Sequence, residues 1–242
     1  ILSQLDYKIE NINKLSNDES LNKIDRALVA ISKFNKLSES EIVTPNTICN
    51  KMVSLIPIDV IKKIINSDNL NILDIASKEG EFSIALYSMM KQLGVDESII
   101  RNKIFAIPTS NVAYEFVRKI YEILNLNIDN ISKNFNSYDL LEFDNNKILE
   151  YLSQEKKFSD IDLEFNLLYQ KGSKKMKFDL IIGNPPYQKN IGDTSDEPIY
   201  NKFMEIAYNI SNKACLITPA KFLFNAGKTP KEWNKKMLND EH

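Results

Sequence analysis

The segment 178–188, FDLIIGNPPYQ, combines residue types that could do chemistry. An apolar run ends at a glycine, and an asparagine, two prolines and a tyrosine follow at once. Proline cannot extend a central strand, so Pro185 and Pro186 turn the chain out of a sheet and fix its backbone. The Asn184 side chain and a neighbouring backbone carbonyl then present two hydrogen-bond acceptors in one fixed geometry.

Two acceptors that face one point suit a group with two N–H donors, such as a primary amine or amide. Tyr187 adds a ring face on which a flat conjugated group can stack. The segment therefore predicts a grip for an amino group attached to a planar ring, and we expect the amide of Asn184 to face a cleft. A proline-rich turn that merely leaves a buried strand is the alternative.

A second segment, 72–82, reads ILDIASKEGEF. Asp74 lies in an apolar run, and Gly80 directly precedes an amphipathic stretch. A glycine permits close approach of the backbone to a ligand, and a helix start offers unpaired backbone N–H groups. An ordinary turn with a helix cap would produce the same pattern, and the glycine-rich fingerprint of dinucleotide sites is missing.

Both segments belong to a regular alternation of short apolar runs and amphipathic stretches. We predict strands at 70–76, 103–107, 178–183 and 214–218, and helices at 82–93, 111–124, 145–154 and 198–210. Continuous apolar strands that alternate with helices are typical of a parallel sheet covered on both faces. The predicted class is α/β, with ligands at the carboxyl ends of the strands.

The stretch before this alternation reads as helix. Apolar residues recur at 3-4-3 spacing in two sets, which are Leu2, Leu5, Ile9 and Ile12, and Leu21, Ile24, Leu28 and Ile31. Thr-Pro at 44–45 predicts the start of a further helix, with Ile48, Met52 and Leu55 on one face. We therefore divide the chain into a helical segment at 1–40, a catalytic domain at 41–224 and a following segment at 225–242.

Composition excludes several kinds of site. The chain has 242 residues, 43% of them hydrophobic, and a net charge of −2, so a nucleic-acid contact would have to be local. His242 is the one histidine, which excludes Ser-His-Asp catalysis and a histidine-ligated metal, and no metal site is predicted. No apolar run is long enough to span a membrane and no signal-peptide pattern is present, which favours a soluble cytoplasmic protein.

NPPY after an apolar strand resembles the catalytic signature of amino-group methyltransferases, chiefly those that make N6-methyladenine in DNA. The segment 72–82 is similar to the S-adenosylmethionine loop of that family, usually Asp-Pro-x-x-Gly-x-Gly-x-Phe. Asp74, Gly80 and Phe82 match this pattern, whereas Ile75 replaces the proline and Lys78 replaces the first glycine.

Three further segments extend the resemblance over about residues 44–223. TPNTICNKM, from Thr44, looks like the segment that helps to hold methionine, and NSYDLLEF resembles a third cofactor segment through Asp139. LITPAKFL resembles the strand and turn that follow the catalytic motif. The resemblance is to large adenine-specific methylase subunits of restriction-modification systems, including fused methylase-endonucleases. Since the later part of their sheet and their DNA-reading region have no counterpart here, we expect a C-terminally truncated catalytic domain.

The resemblance implies a Rossmann-like S-adenosylmethionine-dependent methyltransferase sheet with an N-terminal helical segment. It implies four catalytic residues, Asn184, Pro185, Pro186 and Tyr187. The implied cofactor residues are Thr44, Asp74, Ala76, Gly80, Phe82, Thr109, Asp139 and Asn184. It also implies double-stranded DNA with a flipped adenine as substrate, and a restriction or specificity subunit as partner.

Two departures keep other functions open. The family usually has an acid at the end of the second strand, where it holds the ribose, and this chain has Pro108, Thr109 and Ser110 instead. Together with Lys78, this favours a non-catalytic binding module of the same fold as one alternative. A protein glutamine methyltransferase is another, because a glutamine amide also presents an NH₂ group on a planar centre.

Overall fold

The computed structural model describes residues 14, 18, 20–33, 43–152, 157–161, 178–190, 196–224 and 228–239. The first half of the predicted helical hairpin, with Leu2, Leu5, Ile9 and Ile12, lies outside these ranges. No helix within the described ranges is both long and apolar enough to cross a membrane.

Strands and helices alternate along the described chain. The helices are α1 (Lys23–Lys33), α2 (Asn46–Ser54), α3 (Ile58–Ile65), α4 (Glu81–Gln92), α5 (Glu97–Ile100), α6 (Asn111–Leu124), α7 (Asn145–Leu152), α8 (Tyr200–Ile210) and α9 (Lys231–Leu238). The strands are β1 (Asn71–Ser77), β2 (Ile104–Pro108), β3 (Phe178–Gly183), β4 (Gln188–Asn190), β5 (Asp196–Pro198) and β6 (Ser211–Leu216). Short 3₁₀ helices occur at Ile128–Asn130, Asp139–Glu142, Phe158–Asp160 and Ala220–Phe224.

Four of the strands form one parallel sheet in the order β2-β1-β3-β6, so the predicted α/β class is confirmed. Asp74 on β1 is in register with Ile182 on β3, and Ile182 is in register with Cys215 on β6. The short strands β4 and β5 form a separate antiparallel pair directly after the NPPY segment. Because all four main strands run the same way, their carboxyl ends meet at one edge of the sheet.

Apolar side chains cover both faces of the sheet. On one face, helices α1, α2, α3, α4 and α6 contribute to a core that includes Ala27, Cys49, Ile61, Leu86 and Ile120. On the other face, α7 and α8 pack over a core rich in phenylalanine. There Phe105 makes edge-to-face contacts with Phe158 and Phe178, each with ring centroids 5.4 Å apart. The residues of β1, β2 and β3 are buried throughout, as expected for strands covered on both sides.

The first two described helices test the predictions made for residues before the sheet. Helix α1 confirms the second half of the predicted hairpin, and its Ala27 and Ala30 are fully buried against the same core as the sheet. Helix α2 confirms the helix start predicted at Thr-Pro. Of the three residues predicted to share one face, Met52 is buried together with Cys49 and Val53, whereas Ile48 is 40% exposed and Leu55, which directly follows the helix, is 74% exposed.

A buried carboxylate near the start of β3 connects three elements, which are β3, α3 and β6. The Asp179 side chain on β3 is fully buried, and its Oδ1 accepts hydrogen bonds from Lys63 Nζ of α3 at 2.9 Å and from Asn212 Nδ2 of β6 at 2.8 Å. Burial on its own would raise the pKa of Asp179, but the bonds from Asn212 and Lys63 outweigh it and leave the pKa below its ordinary value. The charged form of Asp179 therefore stabilises the packing of α3 and β6 on β3.

We expect Asp179→Asn to lower the free energy of unfolding by about 1–3 kcal/mol at pH 7, because a buried charge-assisted pair is lost. The folded pKa lies below the unfolded value, so this contribution is present above about pH 4 and disappears as the pH falls through the folded pKa. Urea unfolding at pH 7 and pH 3 measures both quantities. Asp59→Asn, on the exposed face of α3, is the control and should change stability by less than about 0.5 kcal/mol. An equal loss at both pH values would contradict the role of the charge.

Candidate active site

The carboxyl ends of β1 and β3 approach each other closely at the NPPY segment. Gly183, the last residue of β3, has φ +158°, and a Cβ atom there would lie 3.2 Å from Asp74 Oδ1 and 3.4 Å from Ile75 Cγ2. A larger residue would therefore push the two strands apart or displace the carboxylate. The glycine before Asn184 brings the two segments singled out in the sequence into direct contact.

The amide of Asn184 is half satisfied. Its Nδ2 donates a hydrogen bond to Thr44 Oγ1 at 3.1 Å, and its Oδ1 has no hydrogen-bond partner in the described part of the chain. The residue is only 5% exposed. A buried acceptor without a partner costs about 1–3 kcal/mol, so such atoms are uncommon unless they serve a ligand.

The backbone that follows Asn184 is held in place from two sides. Pro185 is buried and Pro186 is half-buried, and their fixed φ angles define the turn. The carbonyl of Tyr187 accepts a hydrogen bond from the backbone N–H of Ile199 at 3.0 Å, just before α8 begins. The shape of the turn is therefore set by the two proline rings and by this backbone hydrogen bond.

Asn184 is 5% exposed, and the expectation that its amide faces an open cleft stays a prediction. A cavity of about 520 Å³ starts at Tyr187, and its lining does not include Asn184. It is lined by Tyr187, Gln188, Asp196, Pro198, Tyr200, Pro219, Lys221, Lys228 and Thr229. Burial raises the pKa of Tyr187, and hydrogen bonding from the Asn184 side chain opposes that rise, which places the Tyr187 hydroxyl beside the amide. Tyr187 therefore lies near the Asn184 amide and also lines the cavity.

The loop after β1 brings together most of its predicted residues. Asp74 is fully buried, its Oδ1 accepts from the backbone N–H of Ala76 at 3.4 Å, and its Oδ2 has no partner among the described residues. Gly80 has φ +77° and directly precedes α4, and a Cβ there would lie 3.2 Å from Ile120, so a glycine is required on both grounds. Phe82 is 1% exposed and packs in the apolar core beneath the loop, away from the edge of the sheet.

A second buried carboxylate, Glu81, lies in this loop and was missed in the sequence. Burial raises the pKa of Asp74 and the nearby charge of Glu81 adds to this effect, so that the pKa lies at about 8. Burial also raises the pKa of Glu81, against the effect of backbone N–H groups and of the Lys78 ammonium. Lys78, which replaces the family's first glycine, is only 6% exposed. An acidic residue in the first turn after a capping glycine was the signal that could have identified Glu81.

Thr44 is held between the loop and the NPPY turn. It is 3% exposed, and its hydroxyl accepts the hydrogen bond from Asn184. Its backbone N–H hydrogen-bonds the carboxylate of Glu81, which also accepts from the backbone N–H of Glu79 at 3.0 Å. The predicted cofactor residue Thr44 therefore contacts both segments at once.

The end of β2 supplies two buried hydroxyl groups. Thr109 is 2% exposed, its backbone N–H donates to the carbonyl of Ser77 at 3.0 Å, and its Oγ1 has no partner in the described ranges. Ser137 Oγ is likewise buried and unpaired within those ranges, and its backbone N–H donates to the carbonyl of Pro108. Ser110, in contrast, uses its hydroxyl to cap α6 by accepting from the N–H of Ala113 at 3.1 Å. Thr109 is therefore the better placed of the two residues to meet a ligand.

Asp139 lies in the turn that follows Ser137. Its Oδ2 accepts a hydrogen bond from the backbone N–H of Asn136 at 2.7 Å, and the residue is half-buried. Because the N–H of Ser137 bonds the last residue of β2, this turn lies at the carboxyl edge of the sheet. The structure thus places Asp139 near this edge, and its contact with a cofactor stays a prediction.

Within the described ranges, five unpaired buried acceptors or hydroxyls therefore lie on or just after three neighbouring strands. They are Asp74 Oδ2, Ser77 Oγ, Thr109 Oγ1, Ser137 Oγ and Asn184 Oδ1. Parallel sheets bind ligands at the edge to which these residues belong. A polar ligand with a cationic group would satisfy them, and the Asp74 and Glu81 carboxylates favour the cation.

Solved structures with similar folds were found at low sequence identity, whereas no curated protein sequence matches the chain. A type I restriction-modification system methyltransferase subunit from Streptococcus thermophilus matches with a TM-score of 0.57 and 14% identity, over 89% of this chain and 42% of that one. A protein described as a class I S-adenosylmethionine-dependent methyltransferase from Listeria monocytogenes matches with a TM-score of 0.52 and 12% identity, over 92% of this chain and 60% of that one. The chain thus spans less than two thirds of either structure, and the likeness is one of fold.

Sequence comparison with protein families is more specific than these structural matches. The model of the family described as Eco57I restriction-modification methylase matches residues 22–242, which is most of the chain and includes both the Asp74 loop and the NPPY turn. The chain therefore belongs to the Eco57I restriction-modification methylase family.

Proposed function

We propose that this chain carries the catalytic core of a restriction-modification enzyme that methylates the N6 amino group of adenine in DNA, with S-adenosylmethionine as methyl donor. The observation that carries the proposal is the unpaired Oδ1 of Asn184, held at the NPPY turn and beside the buried Asp74. Membership of a restriction-modification methylase family supports DNA as the substrate.

The residues at the edge of the sheet fit S-adenosylmethionine, which supplies a methyl group on a positively charged sulfur. Asp74 would hold a cationic group of the cofactor, since its carboxylate is buried with no partner for Oδ2 in the described chain. The backbone around Ala76 and Gly80 gives the close approach that a ligand needs, and the Thr109 hydroxyl is available to the ribose. Asp139 would contact the cofactor from the neighbouring turn.

The acceptor side uses the NPPY turn. Asn184 Oδ1 and the Pro185 carbonyl would accept hydrogen bonds from the amino group of a flipped adenine, whose ring stacks on Tyr187. Those bonds draw the nitrogen toward tetrahedral geometry and direct its lone pair at the methyl group. No general base is required before attack, and positioning of this kind can supply about 7–11 kcal/mol.

Tyr187 is placed to take part in this chemistry. Its hydroxyl lies near the Asn184 amide, and the residue lines the cavity of about 520 Å³. A base that enters at this cavity would come against Tyr187, whose ring face could cover it. A second subunit that reads DNA or restricts it is a further expectation, in keeping with the family.

Asn184→Ala tests the role of the acceptor. We expect it to lower methyl transfer to DNA at least about 100-fold, because a preorganised hydrogen-bond partner of the reacting group is removed. Transfer of a tritiated methyl group to duplex DNA measures the rate. Asn50→Ala, on the exposed side of α2, is the matched control and should retain full activity. Near-normal transfer by a well-folded Asn184→Ala protein would refute the proposed mechanism.

Tyr187→Ala and Tyr187→Phe separate the ring from its hydroxyl. We expect the alanine variant to lose about 1–3 kcal/mol of stacking, and the phenylalanine variant to be affected mildly. Fluorescence of 2-aminopurine at the target position reports base flipping, and single-turnover transfer reports the rate. If the phenylalanine variant lost as much as the alanine variant, the ring would not be the main contribution of Tyr187.

The raised pKa of Asp74 makes cofactor binding depend on pH. Asp74 keeps its proton below about pH 8 in the unliganded protein, and a bound cation favours the charged carboxylate. S-adenosylmethionine should therefore bind more tightly as the pH rises from 6 to 8, by up to about tenfold per unit, with release of a proton. Calorimetry in buffers of different ionisation enthalpy measures this proton. The Asp74→Asn variant should bind S-adenosylmethionine more weakly and without the pH dependence. If the pH dependence of binding were unchanged in that variant, a group other than Asp74 would be its cause.

A further inference from the structure

We propose that Thr44 is a positioning residue, whose hydroxyl holds the Asn184 amide with its oxygen toward the substrate and which is itself held by Glu81. What Asn184 does for the substrate rests on the function proposed above. The position of the amide, in contrast, follows from contacts within the protein and can be measured without any reaction.

The contact between Thr44 and Asn184 holds the amide in place. Nδ2 of Asn184 donates to Oγ1 of Thr44 at 3.1 Å, and both residues are at least 95% buried. An asparagine amide has a donor end and an acceptor end, which exchange places when the group turns over. In this structure the donor end is bound to Thr44, and the acceptor end remains for the ligand. With the amide turned over, the Thr44 hydroxyl could donate to Oδ1, but the NH₂ group of Asn184 would then face the NH₂ group of the substrate, and neither would have an acceptor there.

Thr44 owes its own position to backbone contacts on two sides. Its carbonyl accepts from Cys49 Sγ at 3.6 Å, and the carbonyl of Pro45 accepts from the N–H of Ile48 at 2.8 Å at the start of α2. Its N–H hydrogen-bonds the buried carboxylate of Glu81. The threonine therefore has little freedom to move relative to the loop after β1.

Glu81 connects this contact with the cofactor side of the site. The same carboxylate accepts from the backbone N–H groups of Glu79, of Glu81 itself and of Thr44. It thus ties the Asp74 loop to Thr44, and Thr44 in turn ties that loop to Asn184. The loop that carries Asp74 and the turn that carries Asn184 are therefore linked through Thr44.

A positioning role and a direct contact between Thr44 and the cofactor predict different kinetics. Loss of a cofactor contact weakens cofactor affinity, and the rate recovers when the cofactor is saturating. Loss of positioning leaves cofactor affinity unchanged and lowers the rate of the chemical step at saturation, where a displacement of about 1 Å can cost about 100-fold.

The experiment compares Thr44→Val, which keeps the shape and removes the hydroxyl, with Thr44→Ser, which keeps the hydroxyl. At saturating cofactor and DNA, we expect the single-turnover rate of Thr44→Val to fall about 10- to 100-fold, and that of Thr44→Ser to stay within about threefold of the wild type. The dissociation constant for S-adenosylmethionine should change less than about threefold in both. Thr47→Val, the same change at an exposed position of α2, is the matched control and should behave as the wild type.

A combination with Asn184→Ala tests whether the two residues act through one another. We expect Thr44→Val to cause no further loss in the Asn184→Ala background, because residues that act as a unit are not additive. Full loss in both backgrounds would overturn the proposal. So would a Thr44→Val variant that reacts normally at saturating cofactor.

The amide signal of Asn184 gives a readout that needs no activity. In spectra of asparagine-¹⁵N-labelled protein, the pair of side-chain NH₂ signals that disappears in Asn184→Ala belongs to this residue. We expect slow hydrogen exchange of that pair in the wild type and in Thr44→Ser, and fast exchange in Thr44→Val. Equal exchange in all three would overturn the positioning role, even if the wild type transferred no methyl group to DNA. Absence of transfer by the wild type, with this exchange pattern intact, would overturn the proposed function alone.

Discussion

The close approach of β1 and β3 at their carboxyl ends is the constraint on which the site depends. Gly183 leaves just enough space for the Asp74 carboxylate, and the chain then turns at once through Asn184 and two prolines. A parallel pair in register brings the acid of one strand to the exit of the other. Whatever binds beside Asp74 therefore lies within reach of whatever binds at Asn184, which is the geometry that transfer between two bound groups requires.

The close approach of β1 and β3 is accompanied by several buried titratable groups. Asp74 and Glu81 lie under the loop together with Lys78, in a region where water screens little. Lys78 lowers the pKa of both carboxylates, so the residue that replaces the family's first glycine partly neutralises the loop. With a pKa raised to about 8, Asp74 keeps its proton at pH 7 in the unliganded protein. A cationic ligand would favour the charged carboxylate, so the departure at Lys78 is compatible with a working cofactor site.

Local patterns predicted the elements well where burial on two faces dictates the sequence. The continuous apolar runs identified β1, β2 and β3, and the turn chemistry located Gly80 and the NPPY exit. Strand β6 was predicted at 214–218 but spans Ser211–Leu216, because an edge strand exposes polar residues such as Lys213 that an apolar pattern cannot include. In α2, apolar residues occur on two sides of the helix, and which side is buried depends on tertiary packing that the local pattern does not contain.

The contacts that turn these elements into a site could not be read from local sequence. Thr44 and Asn184 are 140 residues apart in sequence, and nothing in either local segment predicts that the two side chains form a hydrogen bond. The same holds for the position of Tyr187, whose flat ring suggested an open stacking surface. In the described conformation its hydroxyl lies near the Asn184 amide, a contact that the sequence pattern does not predict. The unpaired Oδ1 of Asn184 costs free energy in the unliganded protein, and that free energy is recovered only when a ligand donates a hydrogen bond to it.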